Sequence, residues 1–131
     1  IKQWLTEWGY QYEDMGAFEY NPDDNYPEYT KLVAEKVNNS ENMGIIVCGS
    51  GIGVDIVANK FDGVRSGLAL DDDQIKLARE HDNINVLALA SEHISEEDAK
   101  RIVNVFLKTP FSGKDRYKRR LNQIKDIEKS N

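Results

Sequence analysis

Cys48 is the only cysteine in the chain, and Gly49-Ser50-Gly51-Ile52-Gly53 follows it directly. Three glycines in five positions let a backbone turn tightly and bring several N–H groups toward one anion. A helix after Gly53 would add the positive end of its dipole. Such a loop suits a phosphate or a developing oxyanion. A thiol beside it is placed to work as a thiolate, taking or returning a proton. Standing alone, a cysteine at a strand end reads as a small buried apolar residue; the glycines turn the reading toward a base paired with an oxyanion hole. Better-known phosphate loops do not fit. A Walker loop ends in Gly-Lys-Ser or Gly-Lys-Thr, and this one ends in Gly53-Val54-Asp55. A cysteine phosphatase needs arginine at the position of Val54, and a dinucleotide fold needs Gly-x-Gly-x-x-Gly, whereas the glycines here are two apart.

The elements that must position this loop follow from the hydrophobic pattern. Ile1, Trp4, Leu5 and Trp8 recur at helical spacing and stop at Gly9, predicting a first helix from residue 1. Tyr10 to Met15 alternates in part and reads as a short strand, followed by a polar loop through Asn25. Asn25 and Pro27 then open a second helix with Tyr29, Leu32, Val33 and Val37 on one face. Gly44 to Cys48 and Asn85 to Ala90 are continuous apolar runs, the pattern of strands buried on both faces of a parallel sheet. Between them the pattern gives a short helix over Ile56 to Lys60, a strand over Val64 to Leu70 and a helix over Asp72 to His81. Ser95 with Asp98 resembles a capping box ahead of the apolar face Ala99, Ile102, Val103 and Phe106. Beyond Pro110 and Gly113, a last helix carries Tyr117, Leu121, Ile124 and Ile127. Strands alternating with helices predict an α/β fold, a three-layer, Rossmann-like open parallel sheet, in which ligands bind beyond the carboxyl ends of the strands. Cys48 to Gly53 occupies that place.

At 131 residues the chain fits one domain spanning 1–131. Its apolar runs fall far short of the roughly 20 residues needed to span a bilayer, and the start shows no signal-peptide pattern. A single cysteine excludes an internal disulfide, and the expected setting is the cytoplasm. The formal charge of −6 argues against nucleic acid. One basic cluster stands against it: Lys114, Arg116, Lys118, Arg119 and Arg120, enough for one phosphate rather than a duplex.

Gly44-Ile45-Ile46-Val47-Cys48-Gly49-Ser50-Gly51-Ile52-Gly53, Ala58-Asn59-Lys60, Gly63-Val64-Arg65, His81, Asn85-Val86-Leu87-Ala88 and Phe111 to Arg120 follow one another in an order that resembles the ribose-5-phosphate isomerase B family, whose superfamily includes galactose-6-phosphate isomerases. The resemblance implies an aldose–ketose isomerase working through an enediolate, with no metal and no organic cofactor. It implies that Cys48 moves the proton between C1 and C2, that the N–H groups of Gly49, Gly51, Ile52 and Gly53 hold the enediolate oxygen, and that Ser50 assists. His81 would open the sugar ring, Tyr26 would line the pocket, and Arg116 and Arg120, four apart on one helix face, would clamp the phosphate with their guanidinium forks. It implies a homodimer, or a dimer of dimers, whose site joins the Cys48 loop of one subunit to the His81 region of the other.

Each residue has a plainer rival. His81 suits the last turn of a helix as a cation, Tyr26 suits a core, and the arginines suit a solvated surface, although positive charge in a first helical turn is unfavourable unless an anion sits there. The chain also departs from the family pattern. An initial strand and an Asp-His-bearing loop are expected from about 10 to 20 residues ahead of Ile1, the strand lying between Tyr10 to Met15 and Gly44 to Cys48. Asp82 replaces the usual Asn, and Glu92 stands where an arginine is common and would repel a phosphate. The readings carried forward are a five-carbon sugar-phosphate isomerase, a six-carbon one acting on galactose or allose 6-phosphate, and a noncatalytic sugar-phosphate-binding homologue.

Overall fold

A computed structural model describes residues 1–131. In chain order its elements are α1 (Lys2–Glu7), α2 (Tyr26–Val37), β1 (Gly44–Cys48), α3 (Ile52–Ala58), β2 (Ser66–Leu68), α4 (Asp72–Asp82), β3 (Val86–Ala90), α5 (Glu96–Lys108) and α6 (Asp115–Ser130). The strands form one parallel sheet in the order β1-β3-β2. Central β3 is buried at every residue, which is why it reads as an unbroken apolar run. Leu87 and Leu89 point to one side, where they meet Trp4, Leu5, Ile75, Ile102 and Phe106. Val86 and Ala88 point to the other, toward Ala34, Val37, Ile46, Val54 and Ala58. So α1, α4 and α5 cover one face and α2 and α3 the other, the three-layer α/β arrangement that the strand–helix alternation predicts. No helix is long and apolar enough to cross a membrane.

Local chemistry fixes the helix ends. Ser95 Oγ accepts the Asp98 N–H at 3.1 Å and donates to the Asp98 carboxylate at 2.7 Å. Arg101 then binds Asp98 at 2.5 Å and Asp72 at 3.2 Å, tying α5 to the start of α4. The turn from α4 into β3 places Asn83 at φ 47°. Arg65 donates to the Asn83 carbonyl at 2.9 Å, and Arg79 to the Asn83 side chain at 3.0 Å and to the Ile84 carbonyl. Burial pulls both guanidinium pKa values below the ordinary arginine value, which lies so high that both stay charged. At the outer edge of β2, Asn59 does the work of a missing strand. Its Nδ2 donates to the Ser66 carbonyl at 3.1 Å and its Oδ1 accepts the Ser66 N–H at 2.9 Å.

Several expectations need correction. Tyr10 to Met15 is not a strand. A strand needs a neighbour about 4.8 Å away, whereas this segment lies across a cavity of about 730 Å³ from β1, held by the ion pairs Lys2–Asp14 and Lys36–Glu13. The helix expected over Ile56 to Lys60 starts four residues earlier, at Ile52, because Gly51 at φ 73° is its N-cap and Gly53 lies within its first turn. The strand over Val64 to Leu70 shrinks to Ser66–Leu68, with β3 as its only partner. In α2 the buried residues are Thr30, Ala34 and Val37, and Leu32 is exposed. Only Tyr117 is buried in α6; Ile124 and Ile127 line a cavity of about 540 Å³ beside β2.

Candidate active site

β1 leads into α3 on one face of the sheet, and its neighbour β3 leads into α5 on the other. Where adjacent strands send their chains to opposite faces, a crevice opens at their carboxyl ends. Cys48 closes β1 there, in register with Ala90. Its side chain is half-buried and packs toward the α2–α3 core, so the plain packing reading is correct in part. The sulfur also accepts the Gly51 N–H at 3.1 Å. Ser50 Oγ accepts the Ile52 N–H at 3.3 Å. The N–H groups of Gly49, Ser50 and Gly53 carry no hydrogen bond within the chain. The arrangement offers a sulfur and a set of uncommitted donors within a few residues, which is what proton transfer next to a developing oxyanion requires.

The loop is held from both sides. Gly51 has no room for a side chain, since a Cβ there would stand 2.5 Å from Leu68 Cδ1 and 3.1 Å from the Ala90 backbone nitrogen. The turn after β3 is laced to the loop: the Ser91 N–H donates to the Cys48 carbonyl at 2.9 Å and the Glu92 N–H to the Gly49 carbonyl at 3.0 Å. The Tyr26 ring lies on Gly53, where a Cβ would come within 2.6 Å of its Cζ. Tyr26, Cys48, Gly49, Ser50, Gly51, Ile52 and Gly53 therefore form one cluster, as the loop reading requires.

His81, Arg116 and Arg120 form a second cluster. The His81 ring stacks on Tyr117 with centroids 4.3 Å apart. Arg116 and Arg120 flank the same tyrosine, their guanidinium carbons 4.9 Å and 6.0 Å from its ring. Neither arginine has a carboxylate at ion-pair distance. Arg116 stands in the first turn of α6, the position where positive charge is unfavourable. This cluster lies at the amino-terminal end of β3, and the Cys48 loop lies at the carboxyl end. Four residue steps of strand put about 13 Å between those ends, so one chain does not bring the two clusters together. No group of three or more His, Cys, Asp or Glu side chains is placed to hold a metal.

Sequence reasoning gave Tyr117 only a packing role. The signal was its place between two arginines of the basic cluster, on the face they share.

The ribose/galactose isomerase family model matches residues 1–124. The chain belongs to that family. Within it, the chain is 41% identical over 118 residues to a Mycoplasma genitalium protein named "Probable ribose-5-phosphate isomerase B", covering 88% of this chain and 77% of the relative. It is 35% identical over 127 residues to ribose-5-phosphate isomerase B of Mycolicibacterium paratuberculosis, covering 96% of this chain and 80% of the relative. A crystal structure of ribose-5-phosphate isomerase B from M. genitalium with bound ribulose-5-phosphate superposes with a TM-score of 0.95 at 38% identity, covering 100% of this chain and 87% of that one.

Proposed function

We propose that this chain interconverts ribose 5-phosphate and ribulose 5-phosphate through an enediolate. The observation that carries the chemistry is the Cys48 sulfur set beside uncommitted loop N–H groups at the crevice between β1 and β3. The substrate follows from the relative that holds ribulose-5-phosphate. In the aldose-to-ketose direction the thiolate takes the proton from C2. The electron pair of that bond becomes the C1–C2 double bond, and the carbonyl oxygen on C1 becomes an oxyanion received by the free N–H groups of Gly49 and Gly53; those of Gly51 and Ile52, which bond Cys48 Sγ and Ser50 Oγ here, join once they turn from those acceptors to the substrate. Ser50 assists at that oxygen. The proton returns to C1 and the O2 proton passes to O1, leaving the ketose. Nothing is oxidised or reduced overall, so the step calls for no redox cofactor.

Tyr26 walls the loop side of the site. His81 opens the ring, and Arg116 and Arg120 hold the phosphate. Because these last three stand in the other cluster, the complete site joins the loop of one subunit to the His81 cluster of a second copy, and the working unit is a homodimer. A phosphorylated substrate and a lone cysteine support the cytoplasm as the setting of that work.

The test is a panel of five- and six-carbon aldose phosphates assayed for ketose formation. Ribose 5-phosphate should lead, and Cys48→Ala should lose about 10²- to 10⁴-fold in rate with its fold intact, the usual contribution of a general base. Mixing inactive Cys48→Ala with inactive His81→Ala should restore about a quarter of wild-type activity, since a symmetric exchange makes half the dimers mixed, each with one intact site. Near-normal turnover by Cys48→Ala removes it as the base, and no recovery on mixing removes the shared site.

A further inference from the structure

Consecutive residues in the last turn of α4 hold, one after another, the segment that leads into α6. Arg79 Nε donates to the Thr109 carbonyl at 3.0 Å. The Glu80 carbonyl accepts the Ser112 N–H at 3.1 Å. The His81 ring stacks on Tyr117, which Arg116 and Arg120 flank. Arg79 also reaches the turn that ends α4: its Nη1 donates to the Asn83 side chain at 3.0 Å and to the Ile84 carbonyl. Its guanidinium carbon lies 5.8 Å from the centre of the Phe106 ring on α5. No carboxylate stands at ion-pair distance from it, and these acceptors are all neutral carbonyl oxygens. A rigid fork whose donors join the end of α4 to the end of α5 is a brace rather than half of an ion pair.

We infer that Arg79 is a positioning residue of the isomerase site: acting through His81 rather than on the sugar, it fixes the offset between His81 and the phosphate clamp of Arg116 and Arg120. The inference rests on the isomerase reading, with His81 as ring opener and the two arginines as clamp. Arg116 and Arg120 are four apart on one helix, so they keep their mutual spacing when α6 shifts as a unit. Loss of the brace therefore leaves a clamp that still holds phosphate but stands elsewhere relative to the imidazole. A sugar anchored by its phosphate then presents its ring out of line with His81, and a displacement of about 1 Å is enough to cost about a hundredfold in rate.

The experiment compares wild type, Arg79→Lys and Arg79→Met in turnover of ribose 5-phosphate, with inorganic phosphate as competitive inhibitor, well below each thermal midpoint. Both variants should lose about ten- to a hundredfold in kcat, while the inhibition constant of inorganic phosphate stays within about twofold of wild type. Lysine keeps the charge but should not rescue, because a compact ammonium cannot span the three carbonyls. Ser112→Pro, at an exposed position, removes only the bond to the Glu80 carbonyl. It should lower kcat by a smaller factor with phosphate inhibition again unchanged, and it decides the matter if the Arg79 variants do not fold. Wild-type kcat in folded Arg79→Lys, or in Ser112→Pro, would reduce the brace to a matter of stability and overturn the inference. Phosphate inhibition weakened in Arg79→Met and restored in Arg79→Lys would make Arg79 a charge acting on the phosphate, which also overturns it. Failure of the isomerase reading itself looks different, because wild type would then turn over no ribose 5-phosphate.

Discussion

Two glycines of the loop, two residues apart, should respond to alanine in opposite ways. At Gly51 the φ of 73° costs an L-residue about 1 to 2 kcal/mol. The new methyl group would also meet the Leu68 side chain at 2.5 Å and two backbone atoms of β3 at 3.1 Å. Those backbone atoms belong to a fully paired central strand and cannot withdraw, so overpacking adds about 1 to 3 kcal/mol. The total of about 2 to 5 kcal/mol is a large part of a typical stability of about 5 to 15 kcal/mol. With an unfolding entropy of roughly 2.1 cal/mol/K per residue, a 131-residue chain loses about 4 °C per kcal/mol, giving a fall in Tm of about 7 to 18 °C. At Gly53 the obstacle is only the far end of the Tyr26 ring, on a residue 47% exposed, which swings into solvent. Gly53→Ala should therefore stay within about 3 °C of wild type while kcat/KM drops by about ten- to a hundredfold, because a wall of the site has moved. The assay is thermal unfolding by circular dichroism paired with ketose formation. Gly51→Ala melting like wild type, or the two variants falling in Tm by the same amount, would refute the reasoning.

Arg116→Ala and Arg120→Ala should each raise KM for ribose 5-phosphate by roughly ten- to a hundredfold, the value of a charged hydrogen bond, with kcat changed far less. An unphosphorylated sugar turned over as well as the phosphate would contradict that assignment. For Asp98, the Ser95 hydroxyl and then Arg101 hold the carboxyl below its ordinary range. A depressed folded pKa means that the stabilisation is present above the unfolded value of about 3.9 and is lost as pH falls through the folded one. Asp98→Asn should thus melt below wild type at pH 7, with the gap closing below about pH 4; a gap independent of pH would show that the charge contributes nothing.

What could be read from the residues was whatever burial writes into the pattern. β3 announced itself as an unbroken apolar run because helices cover it on both sides; β1 reads the same way, yet its Val47 is 46% exposed and lines the cavity facing the segment 10–17, so burial on both faces does not hold there. The helix α5 was legible through the Ser95–Asp98 cap and the spacing of Ile102, Val103 and Phe106. Tyr10 to Met15 misled, since alternation marks a strand only where a neighbouring backbone supplies the hydrogen bonds. The start of α3 was hidden by Gly53, which looks like loop but sits in a helical turn because the Tyr26 ring needs the room. The loop cluster was legible as a motif because its members are contiguous. The stacking of His81 on Tyr117 joins residues far apart in the chain, and no local pattern encodes such a contact.

The Asn59 amide that pairs with Ser66 also accounts for how this protein tolerates a short, three-residue strand at the rim of its sheet. A bare rim is a template on which another chain can zip. Here one side chain presents a donor and an acceptor in the geometry of a further strand, and so occupies the first rung that an incoming segment would need. Because Asn59 caps the carboxyl end of α3, whose other end is Gly51, the guard against self-association and the reaction loop hang on a single seven-residue helix. Anyone redesigning that rim, for fusion, crystallisation or solubility, would be adjusting the Cys48–Gly53 loop from behind.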